Sequence, residues 1–164
     1  MVGEKIEKQE KKTEKKANSA GALTAVIRIS GMVKVREVIE NGLSRMRLRR
    51  KYACILVDPN NKAVAGILKK VKHYIAYGEI DKATLVKLIK ARAKSIEGNK
   101  KEIKIDAEKV ASGLMEGKKL DEFGLKGFFR LAPPRKGINS KLQYPKGVLG
   151  NNKKDINKLI ERML

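Results

Sequence analysis

Between Arg45 and Lys51 the chain reads RMRLRRK, with five cations in seven residues: Arg45, Arg47, Arg49, Arg50 and Lys51. A guanidinium is a planar fork whose N–H groups match phosphate oxygens two at a time, and it stays charged at physiological pH. One or two such charges would satisfy the negative pole of a preceding helix, worth about 0.3–1 kcal/mol each. The remainder exceeds any capping need and points to contact with phosphate groups. A second concentration lies in Phe128-Phe129-Arg130-Leu131-Ala132-Pro133-Pro134-Arg135-Lys136-Gly137, where Pro-Pro holds the backbone extended so that Arg135 and Lys136 project. The rings could stack on bases or pack on the domain. With only three Phe in the chain, the core has the stronger claim on Phe128 and Phe129. Between Glu122 and Asp155 there is no acidic residue, while Lys126, Arg130, Arg135, Lys136, Lys141, Lys146, Lys153 and Lys154 all occur there. A solvated surface mixes signs, so this segment is shaped for an anionic partner.

Other reactive types are sparse. His73, the only histidine, has no metal-ligand neighbours at useful spacing and reads as a structural or rim residue. Cys54 is the single cysteine, lies in an apolar run, and can build neither a disulfide framework nor a Cys-based metal site. A reducing, intracellular setting fits it. The loop Gly31-Met32-Val33-Lys34-Val35-Arg36 resembles the phosphate-cradling loop of acylphosphatases, but it lacks the second glycine that lets several amides converge on an anion. No Asn on a neighbouring strand is placed to orient water. The expectation is no catalytic residue, no metal, no cofactor and no small-molecule substrate.

The cations need elements to position them. LTAVIRIS alternates as a strand, with Leu23, Ala25, Ile27 and Ile29 on one side and Thr24, Val26, Arg28 and Ser30 on the other. In the following helix Val35, Val38, Ile39, Leu43 and Met46 share one face, and the first strand set is expected beneath it. Ala53 to Val57 is apolar on both faces, which calls for cover on both sides of the sheet. Asp58-Pro59-Asn60-Asn61 is a turn with a ready N-cap, leading into a helix over about 61–72 through Val64, Ile67, Leu68 and Val71. His73 to Tyr77 reads as a third strand ended by Gly78. Asp81 caps a helix carrying Leu85, Leu88, Ile89 and Ile96, which Gly98-Asn99 ends. A short helix starts at Asp106 and uses Val110 and Leu114, and Asp155 caps a closing helix with Ile156, Leu159, Ile160 and Met163 on one face. Tyr52, Tyr74, Tyr77 and Tyr144 are expected in the core or at its rim. Strand one offers Val26 and Arg28 where sheet-face RNA readers carry exposed aromatics, so that mode of readout is not expected.

At 164 residues and 41% hydrophobic, the chain can hold one domain with an appendage. A formal charge of +21 with pI near 10.1 makes a folded body repel itself unless a polyanion neutralises it, and nucleic acid is the first candidate. An anionic membrane surface is the weaker one, because no span approaches the roughly 20 apolar residues of a membrane helix. Residues 1–22 carry four Glu among six Lys and no apolar core, so they read as a flexible Lys/Glu-rich tail with no targeting segment.

The segments AVIRISG, MRLRRKY, VKHYIAYGEID, FRLAPPRKG, GVLG and INKLIERML, in that order, resemble the universal ribosomal large-subunit protein L-thirty family in its longer archaeal form, the counterpart of eukaryotic L-seven. The likeness runs from about Ala22 to Leu164, and its part to about Ile80 resembles the short bacterial member. It implies an α+β fold with a β-α-β-α-β core over 23–80, a three-stranded antiparallel sheet with helices on one face related to the ferredoxin-like fold. It also implies a helical and loop-rich C-terminal extension over 81–164 that wraps the core. By the same resemblance the protein is a cytoplasmic, structural constituent of the large subunit that binds folded rRNA near 5S rRNA, beside neighbouring ribosomal proteins. The matching RNA contacts are Arg28, Arg47, Arg49, Arg50, Lys51, Arg130, Arg135 and Lys136; local charge adds Lys34, Arg45, Lys141 and Lys146. The charge fits equally a free-standing RNA chaperone or chromatin-like binder, which is the alternative.

Overall fold

The structure, a computed structural model, describes residues 23–96, 106–138 and 140–164. The expected tail over 1–22 and the Gly98-Asn99 helix stop lie outside the described residues. Strands β1 (Thr24–Arg28), β2 (Ala53–Val57) and β3 (Ile75–Glu79) form an antiparallel centre with β1 in the middle. Two short edges extend it: β4 (Phe129–Arg130) runs antiparallel to β2, and β5 (Gly150–Asn151) runs parallel to β3. The expected three-stranded antiparallel sheet is therefore the centre of a mixed five-stranded one, ordered β4-β2-β1-β3-β5. Helices α1 (Glu37–Arg45) and α2 (Lys62–Val71) cover one face. Helices α3 (Lys82–Arg92), α4 (Ala107–Met115) and α5 (Ile156–Met163) cover the other.

Each face has its own core. Val26 joins Leu43, Met46, Leu48, Ile55, Val71 and Ile75 under α1 and α2. Ala25, Ile27 and Ile29, with Cys54 and Ala76, pack against Leu85, Leu88, Val110, Leu114, Ile156 and Ile160. The expectation that the first strand set lies beneath the first helix is thus reversed. Every residue of β1 is buried, so its alternation separates two faces without saying which helices cover each. The double cover read from β2 is present, with Cys54 in one core and Ala53 and Ile55 in the other. Val38 is also not where it was expected: it is 71% exposed. Helix α1 packs instead through its C-terminal half, where Gly42 lies against Val71 and Ile67 of α2.

The helix starts follow local chemistry. Asn61 Oδ1 accepts the N–H groups of Ala63 at 3.0 Å and Val64 at 3.4 Å, capping α2. Asp81 and Asp155 occupy N-cap positions without making a side-chain cap bond. Buried Asn157 does the joining: its Oδ1 accepts the Asp81 N–H at 3.0 Å, and its Nδ2 donates to the carbonyls of Glu79 and Lys154 at 3.2 and 2.9 Å. Strand β3 begins two residues later than expected and runs through Gly78. There a side chain would strike the Lys153 carbonyl, so Gly78 permits a close approach rather than ending the strand. Helix α3 stops at Arg92, and Ile96, half exposed, lies beyond it with its N–H on the Gly124 carbonyl at 3.0 Å.

Candidate nucleic-acid interface

The basic loops are organised by one buried guanidinium. Arg28 is 2% exposed; its Nε donates to the Ser30 carbonyl at 3.1 Å, Nη1 to Leu48 and Arg49 at 2.8 and 3.0 Å, and Nη2 to Gly31 at 2.8 Å. Its own carbonyl accepts the Tyr52 N–H at 2.7 Å. Desolvation lowers its pKa, and the charge of Glu40 partly opposes that. Arg28 is therefore corrected from an RNA contact to the residue that ties the loop after β1 to the loop before β2. The Gly31 carbonyl is turned inward by the same bonds.

Around this anchor the cations project. Arg45 ends α1, and Arg47, with φ of 58°, starts the turn that follows. Arg49, Arg50 and Lys51 are exposed, and Lys51 Nζ sits 4.7 Å from the centre of the Tyr52 ring. Register sets Arg130 of β4 opposite Ala53 of β2, which brings Arg130 to the same place. Arg47, Arg49, Arg50 and Arg130 thereby line one recess of about 530 Å³ floored by Ala53 and Phe128. Among the described residues, Arg47 is the one candidate in an ion pair, with Asp121 at 4.0 Å, both more than half exposed. Such a pair contributes little.

The other candidates sit in two further loops and at Lys34, which is exposed with φ of 57° in the loop after β1. Arg135 and Lys136 are exposed, but the chain turns there: Lys136 and Gly137 have φ of 63° and 68°, and the Gly137 N–H meets the Pro134 carbonyl at 2.9 Å. The expected extended backbone gives way after Pro134. Arg162 of α5 holds this turn, its Nε and Nη2 donating to the Arg135 carbonyl at 3.1 and 2.8 Å and Nη2 to Gly137 at 2.6 Å. Lys141 and Lys146 lie exposed in the loop before β5, whose Gln143 Nε2 meets His73 Nδ1 at 2.9 Å. Arg162 was not marked by sequence reasoning, and Phe128 was weighed as a base platform but assigned with Phe129 to the domain core. Arg162 carries no local signal, being one cation on an amphipathic helix. Both rings do pack on the domain, but on different cores: Phe129 is 1% exposed in the core beneath α3, α4 and α5, whereas Phe128, just before β4, is half-buried against the core under α1 and α2.

Comparison with known proteins adds to this geometry. The family model for ribosomal protein L30p/L7e matches residues 24–75. The large ribosomal subunit protein uL30 of Archaeoglobus fulgidus is 39% identical over 151 residues, covering 85% of this chain and 98% of that protein. The chain belongs to the L30p/L7e family. Proteins of the same name from Nanoarchaeum equitans and Methanococcus maripaludis are each 38% identical, over 156 and 153 residues, and almost all of each is covered. The stretch matched by the L30p/L7e model holds Arg28, Lys34 and Arg45 to Lys51, whereas Phe128 and Arg130 lie beyond it. The recess therefore joins residues inside and outside that stretch.

Proposed function

We propose that the protein is a structural constituent of the large ribosomal subunit, in the cytoplasm, that binds and stabilises folded large-subunit rRNA and performs no reaction of its own. The observation that carries this reading is the convergence of Arg47, Arg49, Arg50 and Arg130 on one recess held from behind by Arg28. Membership of the L30p/L7e family and the names of the archaeal relatives support it. On this reading residues 23–80 are the RNA-binding core and 81–164 an extension that adds Arg130, Arg135, Lys136, Lys141 and Lys146 to the contacts of Lys34, Arg45 and Lys51. Cations displacing condensed counterions supply most of the affinity, and contacts fall chiefly on phosphates and 2′-hydroxyls, so folded shape is recognised more than base order. The partners are large-subunit rRNA near 5S rRNA and neighbouring ribosomal proteins.

The test is the salt dependence of binding to a large-subunit rRNA transcript. Arg49→Ala with Arg50→Ala is expected to weaken binding and flatten log K against log salt by about 0.7–0.9 for each phosphate the variant no longer neutralises. An unchanged slope removes both residues from the interface. In sucrose gradients at high salt the protein is expected with large subunits; a free-standing RNA chaperone would stay at the top.

A further inference from the structure

The recess differs from an ordinary basic surface in shape and in what lies at its bottom. At about 530 Å³ it falls within the range of roughly 300–1,000 Å³ found for sites that enclose small molecules. It is lined by Ala53, by Phe128, which is half-buried against the core under α1 and α2, and by four arginines; no acidic residue lines it. A base-paired A-form stem presents ridges of phosphate, which cations on a convex or flat surface meet as well. Unpaired bases in loops and bulges can be splayed out and stacked on aromatic rings or arginine planes.

We infer that this recess is a slot for one unpaired nucleotide of the bound RNA, its base against Phe128 and its flanking phosphates on the arginine forks. The inference rests on the RNA-binding reading above. The slot is built before any ligand arrives. Arg28 fixes the backbone at Leu48 and Arg49, the Tyr52 N–H is held by the Arg28 carbonyl, and the Leu131 N–H meets the Tyr52 carbonyl at 3.0 Å. The pairing of Ala53 with Arg130 then sets the far wall. The Arg47 guanidinium lies beside Gly127, where a side chain would meet it, and its exposed partner Asp121 is readily replaced by a phosphate. An aliphatic side chain from a protein partner would leave four guanidinium groups desolvated without acceptors, whereas a nucleotide supplies both ring and anion.

The test compares two RNA hairpins of identical stem, one fully paired and one carrying a single bulged 5-iodouridine, by fluorescence anisotropy and photocrosslinking. The bulged hairpin is expected to bind of the order of ten-fold tighter, in the range for one base stacked on an aromatic ring. On the unaltered protein the crosslink is expected at Phe128. Phe128→Leu should abolish the preference for the bulged hairpin, and Phe128→Tyr should keep it. Equal binding of both hairpins with a normal salt slope, or a preference that survives Phe128→Leu, overturns the slot and leaves the RNA-binding reading intact. Failure to bind either hairpin or a large-subunit rRNA transcript at moderate salt counts against both. A Glu-rich peptide that displaces the bulged hairpin better than unlabelled hairpin of equal charge would assign the recess to a protein and overturn the inference.

Discussion

A guanidinium can be buried when its N–H groups find acceptors, and Arg28 finds them in the carbonyls of Ser30, Gly31, Leu48 and Arg49. Arg28→Met would leave those carbonyls unmet, with an expected loss of about 3 kcal/mol in urea unfolding. It should also weaken RNA binding although the side chain is shut away from solvent, and Arg28→Lys should not restore either property, because an ammonium cannot span the fork. Burial raises the Cys54 thiol from 9.0 to about 12. A group whose folded pKa is raised stabilises the fold while protonated, so this contribution is present below pH 9 and is lost as pH climbs toward 12. Thiol-reagent kinetics with and without urea should give a thiol silent in the folded protein at pH 8. At this scale the exposed cations were legible from local density, as Arg49, Arg50 and Lys51 illustrate. Arg28 was not, since alternation says which way a side chain leaves a strand and not whether solvent lies there.

Among the elements, the β3 to α5 junction depends on a missing side chain. Gly78→Ala puts a methyl onto the Lys153 carbonyl and beside Ile156, with an expected cost of about 1–3 kcal/mol read as a lower melting midpoint. Arg47, Arg49, Arg50 and Lys51 should keep their RNA affinity in that variant, since they lead into β2, which lies on the other side of β1 from β3. Ahead of α5, Tyr144 donates its hydroxyl to Asp155 at 2.8 Å and Lys158 lies 3.2 Å away; these hold the Asp155 carboxyl below its usual 3.8. A depressed folded pKa stabilises above 3.8 and loses that effect as pH falls through the lower folded value. Tyr144→Phe should move the carboxyl back up in an NMR titration. Helix α2 was legible to within a residue at each end, because cap and spacing agree, and the starts of α4 and α5 were legible from Asp106 and Asp155, although neither side chain makes a cap bond. Strands β4 and β5 were not: two residues carry no period, and their pairing depends on distant chain. Gly78 misled for the opposite reason, a stop signal that serves a close approach.

For the whole molecule, a net charge of +21 stores self-repulsion in the folded state. Raising ionic strength from about 0.01 to 0.15 M shortens the screening length from about 30 to 8 Å, and the melting midpoint is expected to rise. Inorganic polyphosphate should raise it further by binding the folded form, and a midpoint indifferent to both would mean the charges do not oppose folding. The need for cover on two faces was legible in the apolar run of β2; which helices take which face depends on tertiary packing that no local pattern encodes. The two cores also close at different times when the chain is made from its N-terminal side. Val26, Leu43, Ile55, Val71 and Ile75 can meet once β3 has emerged, whereas Ile27, Ile29 and Cys54 wait for Ile156, Ile160 and Met163. Until then an apolar half of the sheet lies bare, so a chain cut short before α5 is expected to clump, a result that light scattering would read.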